Sequence, residues 1–132
     1  MCLYDGKNST STRTYLRFED DVLTTSGRAE GAFSIRRRGG SQTDARDRLD
    51  YQVFVTNPIT GATETVANGK TVVWQGTNDP QYLRQVVLPG GRESVLCVPA
   101  PIILKTPAFT ASSKNAGDYT GTLRIIYTPS TL

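Results

Sequence analysis

The sequence contains no histidine, and only two cysteines, one tryptophan and one methionine among its 132 residues. Without histidine it has neither a Cys/His zinc site nor a Ser-His-Asp triad, because a ligand or the general base is missing. It has no run of about 18 apolar residues, the length that a membrane span requires. Residues 1–30 also lack the basic start and apolar stretch of a signal peptide, so we expect none within this chain.

Charged residues are sparse, at 20% of the chain, while apolar residues make up 37%. These values, with 12 glycines and 7 prolines, are typical of one globular domain rich in turns. The densest basic run is Arg36–Arg38, and the nearby Arg46 and Arg48 are interleaved with aspartates. A nucleic-acid surface needs a continuous basic stripe with stacking aromatic residues. We therefore interpret the run as a solvated strand end and predict no nucleic-acid partner.

Candidate catalytic and metal-binding groups are equally sparse. Glu19, Asp20 and Asp21 form a local acidic cluster whose oxygens suit Ca²⁺. Consecutive strand residues point to opposite faces, however, so a solvated strand end is the better interpretation. No nucleophile has a partnered base. We predict no enzyme, no metal site and no cofactor.

Short segments of alternating apolar and polar residues run along the whole chain, with turn residues between them. No segment has convincing helical periodicity. Strands separated by turns about every 8–12 residues predict an all-β sandwich. The ten predicted strands are Met1–Tyr4, Thr14–Glu19, Ala32–Arg37, Leu49–Val55, Thr63–Ala67, Lys70–Gln75, Tyr82–Leu88, Glu93–Val98, Ile102–Thr106 and Gly121–Thr128.

Two local features predict how some of these strands pair. Asn68–Gly69 is the strongest short hairpin signal, because a type I′ turn needs positive φ at both positions. It predicts that the two flanking strands pair with each other. Ile102–Thr106 lies between Pro101 and Pro107, whose missing amide donors suit an edge strand or a switch between sheets.

Residues 115–121 have the spacing of a tyrosine corner. Asn115 favours a turn, Gly117 follows it, and Tyr119 stands two residues further on. In immunoglobulin-like sandwiches the hydroxyl of this tyrosine bonds to upstream backbone at the turn before strand F. The spacing therefore predicts that Gly121–Thr128 is strand F.

The side chains of strand F divide between two faces. If Tyr119 faces the core, the period of two directs Leu123, Ile125 and Tyr127 inward and their neighbours, such as Ile126, outward. Only four residues follow Thr128, too few for the seventh strand, G. We expect the sandwich to lack its own G strand.

Cys2 and Cys97 allow two interpretations. A disulfide between them would close a loop of nearly the whole chain, worth about 4–5 kcal/mol in the chain-entropy model. The alternative is a pair of buried thiols in a cytosolic β-domain. The even cysteine count, the single methionine and the Ser/Thr-rich composition favour the oxidised, exported form.

Four blocks stand in order along the chain: Met1–Gly6, Leu16–Asp21, Val95–Pro99, and Gly117–Gly121 with Tyr127–Pro129. Together they resemble the C-terminal pilin domain of tip-adhesin, or pilus-initiator, subunits of alternate chaperone–usher fimbriae, the class 5 and cable-pilus type. The match is good at both ends of the chain and poor from Gly27 to Arg92.

The resemblance implies an immunoglobulin-like pilin fold without its G strand and a disulfide between Cys2 and Cys97. It implies that residues 1–132 are a single pilin-like domain, the C-terminal part of a two-domain adhesin subunit. Such a subunit crosses the periplasm and is finally extracellular, at the fimbrial tip. The implied partners are a periplasmic chaperone, the outer-membrane usher, the N-terminal extension of the major pilin and the subunit's own N-terminal adhesin domain.

The expected function is to accept a donor strand, because an unpaired strand edge over an open core binds an added strand readily. Leu123, Ile125 and Tyr127 are the expected wall of that groove, and Tyr119 is the expected corner residue. The alternative is a complete, secreted β-sandwich that binds carbohydrate or protein.

Overall fold

The computed structural model describes residues 1–4, 6, 12–22 and 27–130. Within these ranges the chain forms strands, with single turns of 3-10 helix at Ala45–Asp47, Pro80–Tyr82 and Ala111–Ser113. The strands are β1 (Cys2–Leu3), β2 (Arg13–Asp20), β3 (Phe33–Arg37), β4 (Arg48–Thr56), β5 (Thr63–Val66), β6 (Thr71–Gln75), β7 (Arg84–Val87), β8 (Ser94–Pro99), β9 (Ile102–Lys105), β10 (Tyr119–Thr120) and β11 (Leu123–Ser130). No helix in the described part of the chain has the length and hydropathy of a membrane span.

The strands pair in three antiparallel groups. One group has the order β10–β3–β4–β5, and β9 also pairs with β4. The second group is β11–β2–β6, and the third is β1–β8–β7. Each predicted segment therefore overlaps a strand of the structure. Near the end of the chain there are two strands and not one: β10 precedes the predicted segment Gly121–Thr128, β11 overlaps it, and the two pair in different sheets.

The core lies between the first two groups. Leu16 and Phe18 of β2 and Trp74 of β6 are almost wholly buried, and they pack in one cluster with the buried side chains of β3, β4 and β5. Val53 and Val55 of β4 belong to this cluster. Because these residues alternate with more exposed neighbours, each sheet buries one face, as the sequence pattern predicts. The all-β, immunoglobulin-like sandwich is confirmed.

The turn at Asn68–Gly69 forms, but the predicted hairpin does not. Gly69 has the expected positive φ of 77°, and the amide of Lys70 donates to the carbonyl of Ala67 at 3.1 Å. The strands on either side pair elsewhere, β5 with β4 and β6 with β2. The hairpin prediction was wrong because the turn passes between the two facing sheets, where its amides bond to other segments; that of Gly69 donates to Phe18 at 2.8 Å.

A disulfide joins Cys2 to Cys97, 95 residues apart, with their Cα atoms 5.5 Å from each other. The bond lies where β1 pairs with β8, next to the register pair of Leu3 and Val98, both of which are buried. The structure therefore decides between the two interpretations of the cysteines in favour of the disulfide. The bond links β1 covalently to β8, its neighbour within the third group of strands.

Candidate functional site

The last strand, β11, lies at the edge of its sheet. Among the described residues its one strand neighbour is β2, with which it pairs from Leu123 opposite Asp20 to Ser130 opposite Arg13. The chain enters β11 after changing sheets at Gly121, where a Cβ atom would lie 2.9 Å from Cγ2 of Ile35. Glycine therefore suits this close approach of the chain to β3.

The register with β2 decides which face each β11 side chain occupies. Residues directly opposite each other in an antiparallel pair lie on the same face. Ile125 is opposite Phe18, and Tyr127 is opposite Leu16. Because Phe18 and Leu16 are fully buried core residues, Ile125 and Tyr127 lie on the core face, and Ile126 lies on the outer face.

Ile125 is more exposed than its position on the core face would suggest. Its side chain is 37% exposed, nearly as much as the 40% of the outward-facing Ile126. Leu123 and Tyr127 are partly buried and pack against the core cluster. Ile125 is thus a core-facing side chain that no described strand covers on the free side of β11.

The other sheet shows the same feature at β9. This strand pairs only with β4 among the described residues, so it is an edge strand, as its flanking prolines predict. Leu104 stands opposite Val53, which is fully buried, yet Leu104 itself is 57% exposed. Sequence reasoning did not select Leu104, although the paired prolines already indicated an edge at this position.

An apolar cavity of about 270 Å³ lies between these two edges. Leu104 and Thr106 bound it from the β9 side, and Gly121 and Leu123 bound it from the β11 side. Ile35 of β3 and Leu49, Asp50 and Tyr51 of β4 line the rest of it. We call the cavity, together with the free edge of β11 along Leu123–Tyr127, the open groove.

The tyrosine corner precedes the groove. The hydroxyl of Tyr119 donates to the carbonyl of Asn115 at 2.7 Å, and the carbonyl of Arg46 lies 2.9 Å from the same oxygen. A phenol has one proton, so the two carbonyls compete for it. The bond to Asn115 is the upstream backbone bond that the spacing predicted.

A buried carboxylate supports this corner. Asp47, whose side chain is 4% exposed, accepts from Nε of Arg37 at 2.6 Å, from Nδ2 of Asn115 at 2.8 Å and from the amide of Ser41 at 2.8 Å. The hydrogen bond from Arg37 is the main reason that the pKa of Asp47 lies well below its usual range. Arg37 is thus an ion-pair partner and not part of the solvated basic run that the sequence suggested.

The acidic cluster at the end of β2 is less solvated than predicted, because one of its carboxylates is buried in an ion pair. The side chain of Asp20 is only 2% exposed, and it accepts from Nη1 of Arg28 at 2.6 Å and from the amide of Ser34 at 2.8 Å. A cavity of about 540 Å³ adjoins this pair, but the pair's charges already neutralise each other. The described residues contain no group of three or more metal-ligating side chains.

The whole chain matches a known family. Residues 1–131 fit the family model for the second domain of CfaE, a subunit of CFA/I fimbriae. The chain belongs to this family. It is therefore a pilin-type domain of a fimbrial adhesin subunit, a family that is not enzymatic, and membership implies a place in an extracellular fimbria. No curated protein matches the chain in sequence.

The solved structures that resemble it include the following three. The crystal structure of CfaE, the adhesive subunit of the CFA/I fimbria of enterotoxigenic Escherichia coli, shares 25% identity with a TM-score of 0.71, covering 100% of this chain and 34% of that chain. A mutant of the same adhesin shares 24% with a TM-score of 0.74 and the same coverage. A chaperone–tip adhesin complex of CFA/I fimbriae shares 25%, with a TM-score of 0.59, covering 98% and 32%. The chain spans about a third of the length of these neighbours.

Proposed function

We propose that this domain accepts a donor strand along the free edge of β11 and thereby joins a tip adhesin to the pilus shaft. The first donor is a strand of a periplasmic chaperone, which delivers the subunit to the outer-membrane usher. The second is the N-terminal extension of the major pilin, which replaces the chaperone and starts the fibre. Leu123, Ile125 and Tyr127 form one wall of the groove that receives each donor.

The observation that carries the proposal is the exposure of Ile125 on the core face. It lies opposite the fully buried Phe18, yet 37% of it remains accessible. A strand added beside β11 would bond to the free backbone edge and cover this side chain. Covering a fully exposed isoleucine is worth about 1.5–3 kcal/mol, so covering the exposed third of Ile125 contributes about 1 kcal/mol or less.

The arrangement of β11 also bears on the alternative of a complete, secreted binding module. A sandwich that supplied its own G strand would place a second strand beside β11, whereas one that ends with Gly121–Thr128 as its last strand would not. No described residue forms such a second strand, since β2 is the one strand paired with β11 in the described ranges.

The relatives and the disulfide support the cellular setting. One structural neighbour is a chaperone–tip adhesin complex, which is the kind of assembly that the first step requires. The bond between Cys2 and Cys97 suits an oxidising compartment such as the periplasm. Since the adhesin chains that it resembles are about three times as long, we propose that residues 1–132 are the C-terminal domain of a two-domain subunit.

Two variants on adjacent positions test the groove. Ile125→Asp places a charge on the core face of β11, and Ile126→Asp places the same charge on the outer face at nearly equal exposure. Binding of a synthetic peptide with the N-terminal sequence of the mature major pilin is measured for both. We expect Ile125→Asp to weaken binding by about tenfold or more, because the charge would be buried unpaired. Equal binding by both variants would contradict the proposal.

A further inference from the structure

We infer that β9 forms the second wall of the groove, and that an incoming donor strand packs a large apolar side chain against Leu104. This inference rests on the proposed function and adds the partner's chemistry at one position. It names a wall that belongs to the opposite sheet from β11.

The register of β9 carries the first step. Leu104 stands opposite Val53 and therefore lies on the core face, whereas Ile103 stands opposite Phe54 and lies on the outer face. The two are 57% and 52% exposed, respectively. An exposed Ile103 is ordinary for an outward-facing residue, but Leu104 has the orientation of a core residue without a covering layer.

The second step is that the two edge strands border one space. Leu104 of β9 and Leu123 of β11 both line the 270 Å³ cavity, and Leu123 is followed two residues later by the uncovered Ile125. In a sandwich, side chains from the two inner faces interdigitate across the core. A strand paired with the free edge of β11 extends that sheet, so its inward side chains face β9. Leu104 is then the residue of the opposite sheet that they contact.

The chemistry of the cavity selects the side chain that enters it. An apolar cavity of about 150 Å³ already holds a benzene ring, so this one has room for a phenylalanine or a long aliphatic side chain. The carboxylate at its rim, Asp50, is already engaged, since it accepts from Ser34 at 2.7 Å and from Arg48 at 2.9 Å. The cavity therefore offers apolar contact and no unpaired charge, and it favours a donor with a large apolar residue at the position that meets Gly121–Leu123.

Leu104→Asp and Ile103→Asp provide a matched pair, because the residues are adjacent, similar in size and almost equally exposed. Both are tested with the same synthetic peptide of the mature major pilin's N-terminal sequence. We expect Leu104→Asp to weaken binding by about tenfold or more, owing to desolvation of an unpaired charge, and Ile103→Asp to change it by less than about twofold.

A photoreactive benzoylphenylalanine at position 104 should cross-link to the bound peptide, and one at position 103 should not. If the unmodified chain binds the peptide while Leu104→Asp binds equally well, or if only position 103 cross-links, the second wall is not β9 and the inference is overturned. If the unmodified chain binds no donor peptide, the proposed function itself fails. The Ile125→Asp variant separates these outcomes, because it tests β11 alone. If it weakens peptide binding while Leu104→Asp does not, the proposed function stands and only the inference about β9 fails.

Discussion

Two pairs of neighbouring residues show how the closed part of the sandwich differs from the open groove. Phe18 and Ile125 face each other across β2 and β11, and Val53 and Leu104 face each other across β4 and β9. The first member of each pair is fully buried, while the second is 37% and 57% exposed, respectively. All four lie on core faces.

The difference between the members of each pair comes from the position of their strands. β2 and β4 have a paired strand on both sides, whereas β9 and β11 are edge strands in the described part of the chain. Alternation along a strand therefore decides which face a side chain occupies, and the neighbouring strands decide how far it is buried. An edge strand also presents unpaired backbone groups with which another chain can pair.

Reduction of the disulfide should have the largest effect, and it should act on both parts of the sandwich alike. Opening a 95-residue link enlarges the unfolded ensemble, which costs about 4–5 kcal/mol in the chain-entropy model. Urea denaturation with and without reductant measures the loss. The double variant Cys2→Ala, Cys97→Ala is the control and should be insensitive to reductant. An unchanged midpoint on reduction of the wild-type chain would contradict the expectation.

The second-largest expected effect is a difference in stability loss between two truncations. One shortens the buried member of a facing pair, Phe18, and the other shortens its exposed member, Ile125. Phe18→Ala leaves a cavity in a sealed core and should cost about 3–5 kcal/mol. Ile125→Ala removes a side chain that is already partly in water and should cost about 1 kcal/mol or less in the free domain. Chemical denaturation of the two variants gives the comparison. Similar losses would show that the edge of β11 is as closed as the centre of the sheet.

Tyr119→Phe should cost about 1 kcal/mol, the net value of one hydrogen bond, because it removes the bond to Asn115. Tyr15→Phe serves as the control, since the described residues give the hydroxyl of Tyr15 no partner. Both are measured by urea denaturation. Equal urea midpoints for the two variants would show that the hydroxyl of Tyr119 adds no stability to the fold.

Acid should have the smallest effect over the ordinary pH range. Since the pKa of Asp47 is lowered from 3.8 in the folded protein, its contribution is complete above that value and is lost as the pH falls towards the folded pKa. The difference in Tm between the wild type and Asp47→Asn should be constant from pH 7 to about 5 and shrink below about pH 4. Asp118→Asn, which removes a carboxylate at an exposed position, is the matched control for the loss of one negative charge. A difference that already shrinks near neutral pH would contradict the assignment.

Local sequence patterns were enough to predict the strands and the faces of their residues. The alternation that buries Val53 and Val55 is visible in the sequence, because side chains of a strand alternate regardless of its partners. The spacing of Asn115 and Tyr119 is equally local, since the bond between them spans four residues. The prolines around β9 mark an edge because each lacks a backbone donor.

Only the tertiary structure decided which strands became neighbours and hence where the groove lies. The turn at Asn68–Gly69 is compatible with a hairpin, but burial against two facing sheets sends its flanking strands apart. Asp47 and Asn115 meet across 68 residues, and no local pattern marks either as the other's partner. The exposure of Leu104 likewise depends on the absence of a strand beside β9 in the described chain, since a side chain's burial is set by what packs over it and not by its own strand.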